Sequence, residues 1–217
     1  MRSFQMWRGR FFGRYSERVL YFSTVDKASV RQEFLKRRLN IPRSRYWILT
    51  DEIIEQVKLI DWAKLNIVHV FLPIRKHNEI DTFSILNYFK LEHPKLQLVI
   101  PRTDFKKLSI QNILYDHEYT IFGRNKLDIP EPIHGKVIPP DHIDLIFIPL
   151  LACDLKGNRV GYGKGFYDRF LSLCRPDVQK IGLSFFDPIE EINDVNEFDI
   201  PLDACITPGK TWKFSRP

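Results

Sequence analysis

Long apolar runs are missing from this chain. Nowhere do its 217 residues approach the roughly 18 consecutive apolar side chains that a membrane-spanning helix needs. Cysteine is scarce. Cys153, Cys174 and Cys205 are odd in number, irregularly spaced and without a Cys-x-x-Cys pair. That excludes a disulfide framework and predicts reduced, mostly buried thiols in a cytoplasmic protein. No base is indicated beside Cys153, so a catalytic cysteine is not expected. The histidines (His69, His77, His93, His117, His134 and His142) show no metal-ligand spacing. His69, inside an apolar run, reads as a hydrogen-bonded core residue. Internal repeats, low-complexity tracts and the apolar stretch of a secretory signal are also absent.

Charge of one sign dominates only at the start. The net charge is +6, but residues 1–25 hold Arg2, Arg8, Arg10, Arg14 and Arg18 against Glu17 alone. The remaining chain is close to balance, which argues against a nucleic-acid binder and fits positive charge gathered in one pocket. Residues 1–25 are expected to be a basic, disordered extension. They are open to reading as a targeting segment, as the product of a misassigned start or as an RNA-binding arm. Residues 26–217 are expected to form one domain, since the length allows one sizeable core.

Periodicity then divides the chain. Asp26 predicts the cap of a helix over 27–40, and residues 44–65 form a second, with Ile53, Ile54, Val57 and Ile60 inward. A strand over 67–72 ends at Pro73. Asp81 caps a helix over 82–90, and a strand over 96–100 ends at Pro101. An antiparallel strand over 110–115 precedes a long proline-rich loop over 123–142. A buried strand over 144–149, a helix from Phe166 to Leu173 and strands over 179–185 and 204–207 follow. Phe166, Phe170 and Leu173 share one face of that helix. Alternating strands and helices predict an α/β fold in three layers, with helices flanking a mostly parallel sheet. Ligands then gather beyond the carboxyl ends of the strands, after Leu72, Ile148 and Phe185.

The most informative segment runs from Gly157 to Asp168, with Gly157, Gly161, Gly163 and Gly165 inside nine residues. Arg159 and Lys164 add positive charge, and Asp168 closes the run. Such a loop can turn its backbone N–H groups toward an anion. Strand, glycine loop and helix in that order favour a phosphate ligand over a simple turn. It is not a P-loop, because Gly165 follows Gly163-Lys164 where Ser or Thr is required, and Asn158 stands where a glycine is needed. The dinucleotide pattern fails because Phe166 replaces its third glycine.

Taken whole, Ile148-Pro149, Ala152-Cys153-Asp154 and Gly157 to Asp168 resemble the signature of the 5-formyltetrahydrofolate cyclo-ligase family. Lys27-Ala28-Ser29-Val30-Arg31, Pro130-Glu131-Pro132 and Ile200-Pro201-Leu202-Asp203 resemble further elements of that family, so the likeness covers about residues 26–208. The resemblance implies a Rossmann-like domain in the manner of the CoA transferases. It also implies a monomer that binds folate and ATP, with no nucleic-acid or membrane partner. The reaction implied is the ATP- and Mg²⁺-dependent closure of 5-formyltetrahydrofolate to 5,10-methenyltetrahydrofolate. A folate- or nucleotide-binding protein of the same fold without turnover is the alternative.

Residue roles follow from the same resemblance. Lys27 and Arg31 would contact ATP, although by spacing alone they read as a solvated basic face of the first helix. Arg159, Val160, Gly161, Tyr162, Gly163, Lys164, Gly165, Phe166 and Tyr167 would surround the triphosphate, with Lys164 and Arg159 catalytic. Leu72, Glu79 and Tyr167 would meet the folate. By position alone, Leu72 and Tyr167 also suit the core. Arg75-Lys76-His77-Asn78 make the interval before Glu79 slightly longer than the family's. Asp168 and Asp203 would hold Mg²⁺, since two carboxylates with phosphate oxygens and water suffice for that ion.

Overall fold

The computed structural model describes residues 25–126 and 128–215. The expectation for residues 1–25 therefore falls almost wholly outside the described residues. In chain order the elements are α1 Lys27–Leu39, α2 Arg43–Lys58, β1 Ile67–His69, α3 Thr82–Glu92, β2 Gln97–Asp104 and β3 Ser109–Leu114. Then come β4 Phe122–Arg124, β5 Pro130–Pro132, β6 Val137–Ile138, β7 Leu145–Pro149, β8 Ala152–Cys153 and β9 Arg159–Val160. The last are α4 Phe166–Leu171, β10 Gln179–Leu183, β11 Ala204–Thr207 and β12 Lys210–Lys213.

Eight strands form the central sheet in the order β12-β11-β10-β7-β1-β2-β3-β6. The five from β11 to β2 run parallel, and the antiparallel β12 and β3 flank them. Side chains of a strand alternate between faces, and the core divides accordingly. Leu98, Ile100, Leu145, Phe147 and Ile206 pack with Ile53 and Val57 of α2 and with Ile85, Leu86 and Phe89 of α3. Val99, Ile146, Ile148 and Cys205 pack on the other face with Phe170 and Leu171 of α4. Both faces are thus covered, which is what a parallel sheet requires.

Local chemistry explains the ends. Asp26 caps α1 by accepting the Ser29 N–H (2.9 Å), and Lys36, Arg37 and Arg38 occupy its last turn, where cations oppose the helix dipole. α2 ends earlier than its apolar pattern predicts. Ile60 is half-buried and Trp62–Lys64 make a separate 3₁₀ turn capped by Asp61. Asp81 stands at the start of α3 but makes no capping bond to the backbone; its carboxylate takes the Ser84 hydroxyl instead. Pro101 does not end β2. β1 stops at His69, opposite Val99, so beyond that point β2 is paired on one side only and tolerates a residue without an N–H. The predicted loop over 123–142 contains a small β4–β5 hairpin and the edge strand β6. α4 stops at Leu171, which is buried where Leu173 was expected to be; Leu173 is exposed. Cys153 and Cys205 are buried, Cys174 is half-buried, and all three are free thiols. No described helix is long and apolar enough to cross a membrane.

His69, on β1, is fully buried and reaches both layers of polar groups around it. Its Nδ1 lies 2.9 Å from Asn112 Oδ1 and its Nε2 lies 3.2 Å from the Tyr167 hydroxyl. The Asn112 oxygen only accepts, so Nδ1 carries the proton and Nε2 accepts from Tyr167. Burial lowers the His69 pKa to about 4, with the Asn112 bond opposing that shift. An unfolded chain takes up this proton as pH falls through the ordinary histidine value; the native chain does not until about pH 4. Stability is therefore lost on acidification across that window, by about 3 kcal/mol for this group. Urea unfolding at pH 7 and pH 4.5 should show a smaller loss for His69→Gln than for the wild type.

Candidate functional site

An open cleft of about 510 Å³ lies over the carboxyl ends of β1, β2 and β7. Its floor is apolar, with Leu72, Ile74 and Pro149 following the strands and Phe105, Ile110 and Phe166 at one side. Its rim is charged. Lys27, Arg31, Glu79 and the whole run from Arg159 to Asp168 line it. Leu72 is therefore at once a core side chain and part of the cleft wall. The end of β10 takes no part, because Phe185 packs into the core against Tyr46 with ring centroids 5.5 Å apart.

The glycine loop, residues 161–165, joins β9 to α4. Gly163 has φ +82° and Gly165 has φ +64°, the region that disfavours any side chain. A Cβ on Gly163 would also sit 3.2 Å from the Arg31 guanidinium carbon, so any other residue there would have to push that guanidinium aside. Arginines brace the loop on both sides. Arg31 Nε donates to Gly161 O (2.9 Å). Arg169, from α4, donates to Lys164 O (2.5 Å) and to Leu108 O (3.0 Å) at the tip of the β2–β3 hairpin. Lys164 extends from the braced loop as an exposed side chain in the cleft.

Deeper in, Arg159 is buried and its Nη2 donates to Asp168 Oδ1 (2.6 Å). Its Nε is buried with no partner. Burial holds its pKa below the ordinary arginine value, against the opposing pull of Asp168 and Asp199. Lys27, at the start of α1, pairs with Asp199, which lines the same cleft. At the other end Glu79 is buried. Its Oε1 accepts from the Tyr162 hydroxyl (2.5 Å) and its Oε2 from the Ile74 N–H (2.7 Å). Burial pushes its carboxyl pKa up, and Arg38, the Ile74 N–H and Tyr162 pull it back. The extra residues before Glu79 fold into a 3₁₀ turn, Arg75–His77, closed by Asn78 in the left-handed region. The longer interval thus bulges outward, and Glu79 still reaches the cleft.

Asp203 is not brought to the site. It precedes β11 at the amino end of the parallel strands, where its Oδ2 accepts the Lys180 N–H (2.8 Å) and lies 3.0 Å from Lys180 Nζ. The carboxylates that share the cleft with Asp168 are Glu79, Glu131 and Asp199. Two polar residues escaped sequence reasoning for different reasons. Arg38 follows Arg31 by seven positions and so shares its helix face, a signal present in the spacing. Asp199 lies in an irregular segment, where no periodicity could mark it.

The sequence model of the 5-formyltetrahydrofolate cyclo-ligase family matches residues 23–208. A 5-formyltetrahydrofolate cyclo-ligase of Mycoplasma genitalium is 44% identical over 184 residues, 83% of this chain and 98% of that protein. One from Escherichia coli strain K12 is 33% identical over 146 residues, 67% of this chain and 66% of that enzyme. The NMR structure of the Aquifex aeolicus 5,10-methenyltetrahydrofolate synthetase superposes with a TM-score of 0.72 at 25% identity, covering 88% of this chain and 94% of that one. The matched span runs from α1 through β11 and contains the braced glycine loop and the cleft with Lys27, Arg31, Arg159 and Lys164 in its lining, so the chain belongs to the 5-formyltetrahydrofolate cyclo-ligase family.

Proposed function

We propose that this chain closes 5-formyltetrahydrofolate to 5,10-methenyltetrahydrofolate at the expense of ATP. The observation that carries the reading is the convergence of Lys27, Arg31, Arg159 and Lys164 with the carboxylate of Glu79 in one apolar-floored cleft. An N-formyl carbonyl is a weak electrophile, and its oxygen is a poor leaving group. Transfer of the γ-phosphoryl group to that oxygen, with ADP leaving, corrects both. N10 then attacks the formyl carbon and loses its proton, phosphate departs with the oxygen, and the five-membered ring is closed. The protein's part is to align the formyl oxygen with the phosphoryl group and to spread its charge.

Roles follow from placement. Arg159 offers a buried, unpartnered Nε to phosphate oxygens, and Lys164 neutralises the transferred group. Arg31, Lys27 and the backbone from Val160 to Gly165 hold the remaining phosphates. Glu79 accepts the paired N–H donors of the pterin's aminopyrimidine edge, with Leu72, Phe166 and Tyr167 along its faces. For Mg²⁺, Asp168 and Asp199 are the cleft carboxylates beside the cationic wall, an all-oxygen donor set of the kind this ion takes; Asp203 is at the far end of the sheet. Mg²⁺ would supply charge neutralisation between phosphate groups. We propose further that the chain acts as a monomer in the cytoplasm.

The near-ultraviolet absorbance of methenyltetrahydrofolate tests the reading. Its rise should require ATP, and Lys164→Ala should lower kcat by about 10²- to 10³-fold while folate binding persists. Binding of ATP and folate without any rise in the wild type would instead identify a non-catalytic binding protein. A second comparison separates the carboxylates. Asp199→Asn should raise the Mg²⁺ concentration needed for half-maximal rate, and Asp203→Asn should leave it unchanged while lowering stability, because Lys180 is buried beside it.

A further inference from the structure

Arg38 has no part in the chemistry above, yet it is only 4% exposed, and its guanidinium bonds to two residues of the cleft lining, His77 and Tyr162, and to the core residue Leu150. Its Nε donates to His77 O (2.8 Å) and its Nη1 to Leu150 O (3.1 Å). Its Nη2 donates to the Tyr162 hydroxyl, which in turn donates to Glu79 Oε1. The same Nη2 lies 4.0 Å from Glu79 Oε1. The Arg38 carbonyl accepts from Asn78 Nδ2 (2.9 Å). One residue of α1 therefore fixes the 3₁₀ turn before Glu79, the tyrosine of the glycine loop and the charge beside the carboxylate.

We propose that Arg38 is the positioning residue for folate: acting partly through Tyr162, it fixes the orientation and the negative charge of Glu79, so that an anion faces the donor edge of the pterin. The ligand in this inference rests on the function proposed above; the effect on Glu79 does not. A buried carboxylate without a nearby cation takes up a proton, and a neutral carboxyl cannot accept two N–H donors as an anion does. The groups facing Glu79 are Arg38, the Ile74 N–H and Tyr162, with Tyr167 and Tyr46 near it and His77 and Lys76 on its own turn. Among them Arg38 is the buried cation. A lysine in its place would keep the charge but not the planar fork that reaches His77, Leu150 and Tyr162 together.

The test is carboxyl-carbon NMR of protein labelled at glutamate, with the Glu79 signal assigned through Glu79→Gln, beside calorimetric titration with 5-formyltetrahydrofolate and with ATP. In Arg38→Met the Glu79 signal should titrate at higher pH than in the wild type. Folate affinity below the new midpoint should fall about tenfold or more and recover as pH rises through that midpoint, while ATP affinity stays within about threefold. Arg38→Lys should fall between the two. An unchanged Glu79 midpoint overturns the inference, and so does a loss of folate and ATP affinity together at every pH. If the wild type does not bind 5-formyltetrahydrofolate, the proposed function fails and the Glu79 midpoint alone decides the role of Arg38. If Arg38→Met does not fold, Tyr162→Phe and Arg38→Lys take its place, and unchanged midpoints in both overturn it.

Discussion

A glycine-rich segment has no preferred shape, because its residues lose the most backbone freedom on ordering. In this protein the shape is imposed from outside, by guanidinium groups bonded to loop atoms. Arg31 takes the Gly161 carbonyl, Arg169 the Lys164 carbonyl and Arg38 the Tyr162 hydroxyl. Arginine suits the task because its donors are rigidly forked and its charge survives burial. The cleft floor, by contrast, is a by-product of the sheet, whose strands stop and leave apolar side chains exposed between them. Remove the guanidinium contacts and the floor would remain, but nothing would hold a cationic wall above it.

The first helix carries most of that burden. Lys27, Arg31 and Arg38 lie along one face, and each reaches a different part of the site: Asp199, the start of the glycine loop, and the tyrosine–glutamate pair. The usual amphipathic stripe is thereby replaced in part by a charged one. Val30 and Phe34 supply its apolar anchoring against Leu151, Val160 and Ile192. Charges so placed are costly unless bonded, and here each meets a carboxylate, a carbonyl or a hydroxyl.

Much of this was legible beforehand. The unbroken apolar run Leu145–Pro149 and the helical spacing around Ile53 and Val57 reported the layers, because a strand buried on both faces reads as a continuous apolar run and a helix buried on one face leaves a period. The glycine run reported the loop, because few residues tolerate positive φ. Asp199 was not legible, since an irregular segment leaves no period and Asp203, nearby, drew the assignment. Pro101 misled for a related reason: a proline ends a strand only where a neighbouring strand needs its N–H, and beyond Val99 one side of β2 has no partner strand. The short edge strands β4, β5, β6 and β12 escaped notice or were read as loop because two to four residues are too few to establish alternation.

Arg169 joins two parts of the cleft that are far apart in the sequence. One end of its side chain holds the carbonyl of Lys164; another holds the carbonyl of Leu108, at the tip of the hairpin that carries Phe105. Phe105 in turn packs edge-on against Phe166. The two opposing lips of the cleft are therefore cross-linked without a covalent bond. They behave as the two arms of one jaw, and a displacement at the hairpin tip is carried to the backbone of Lys164.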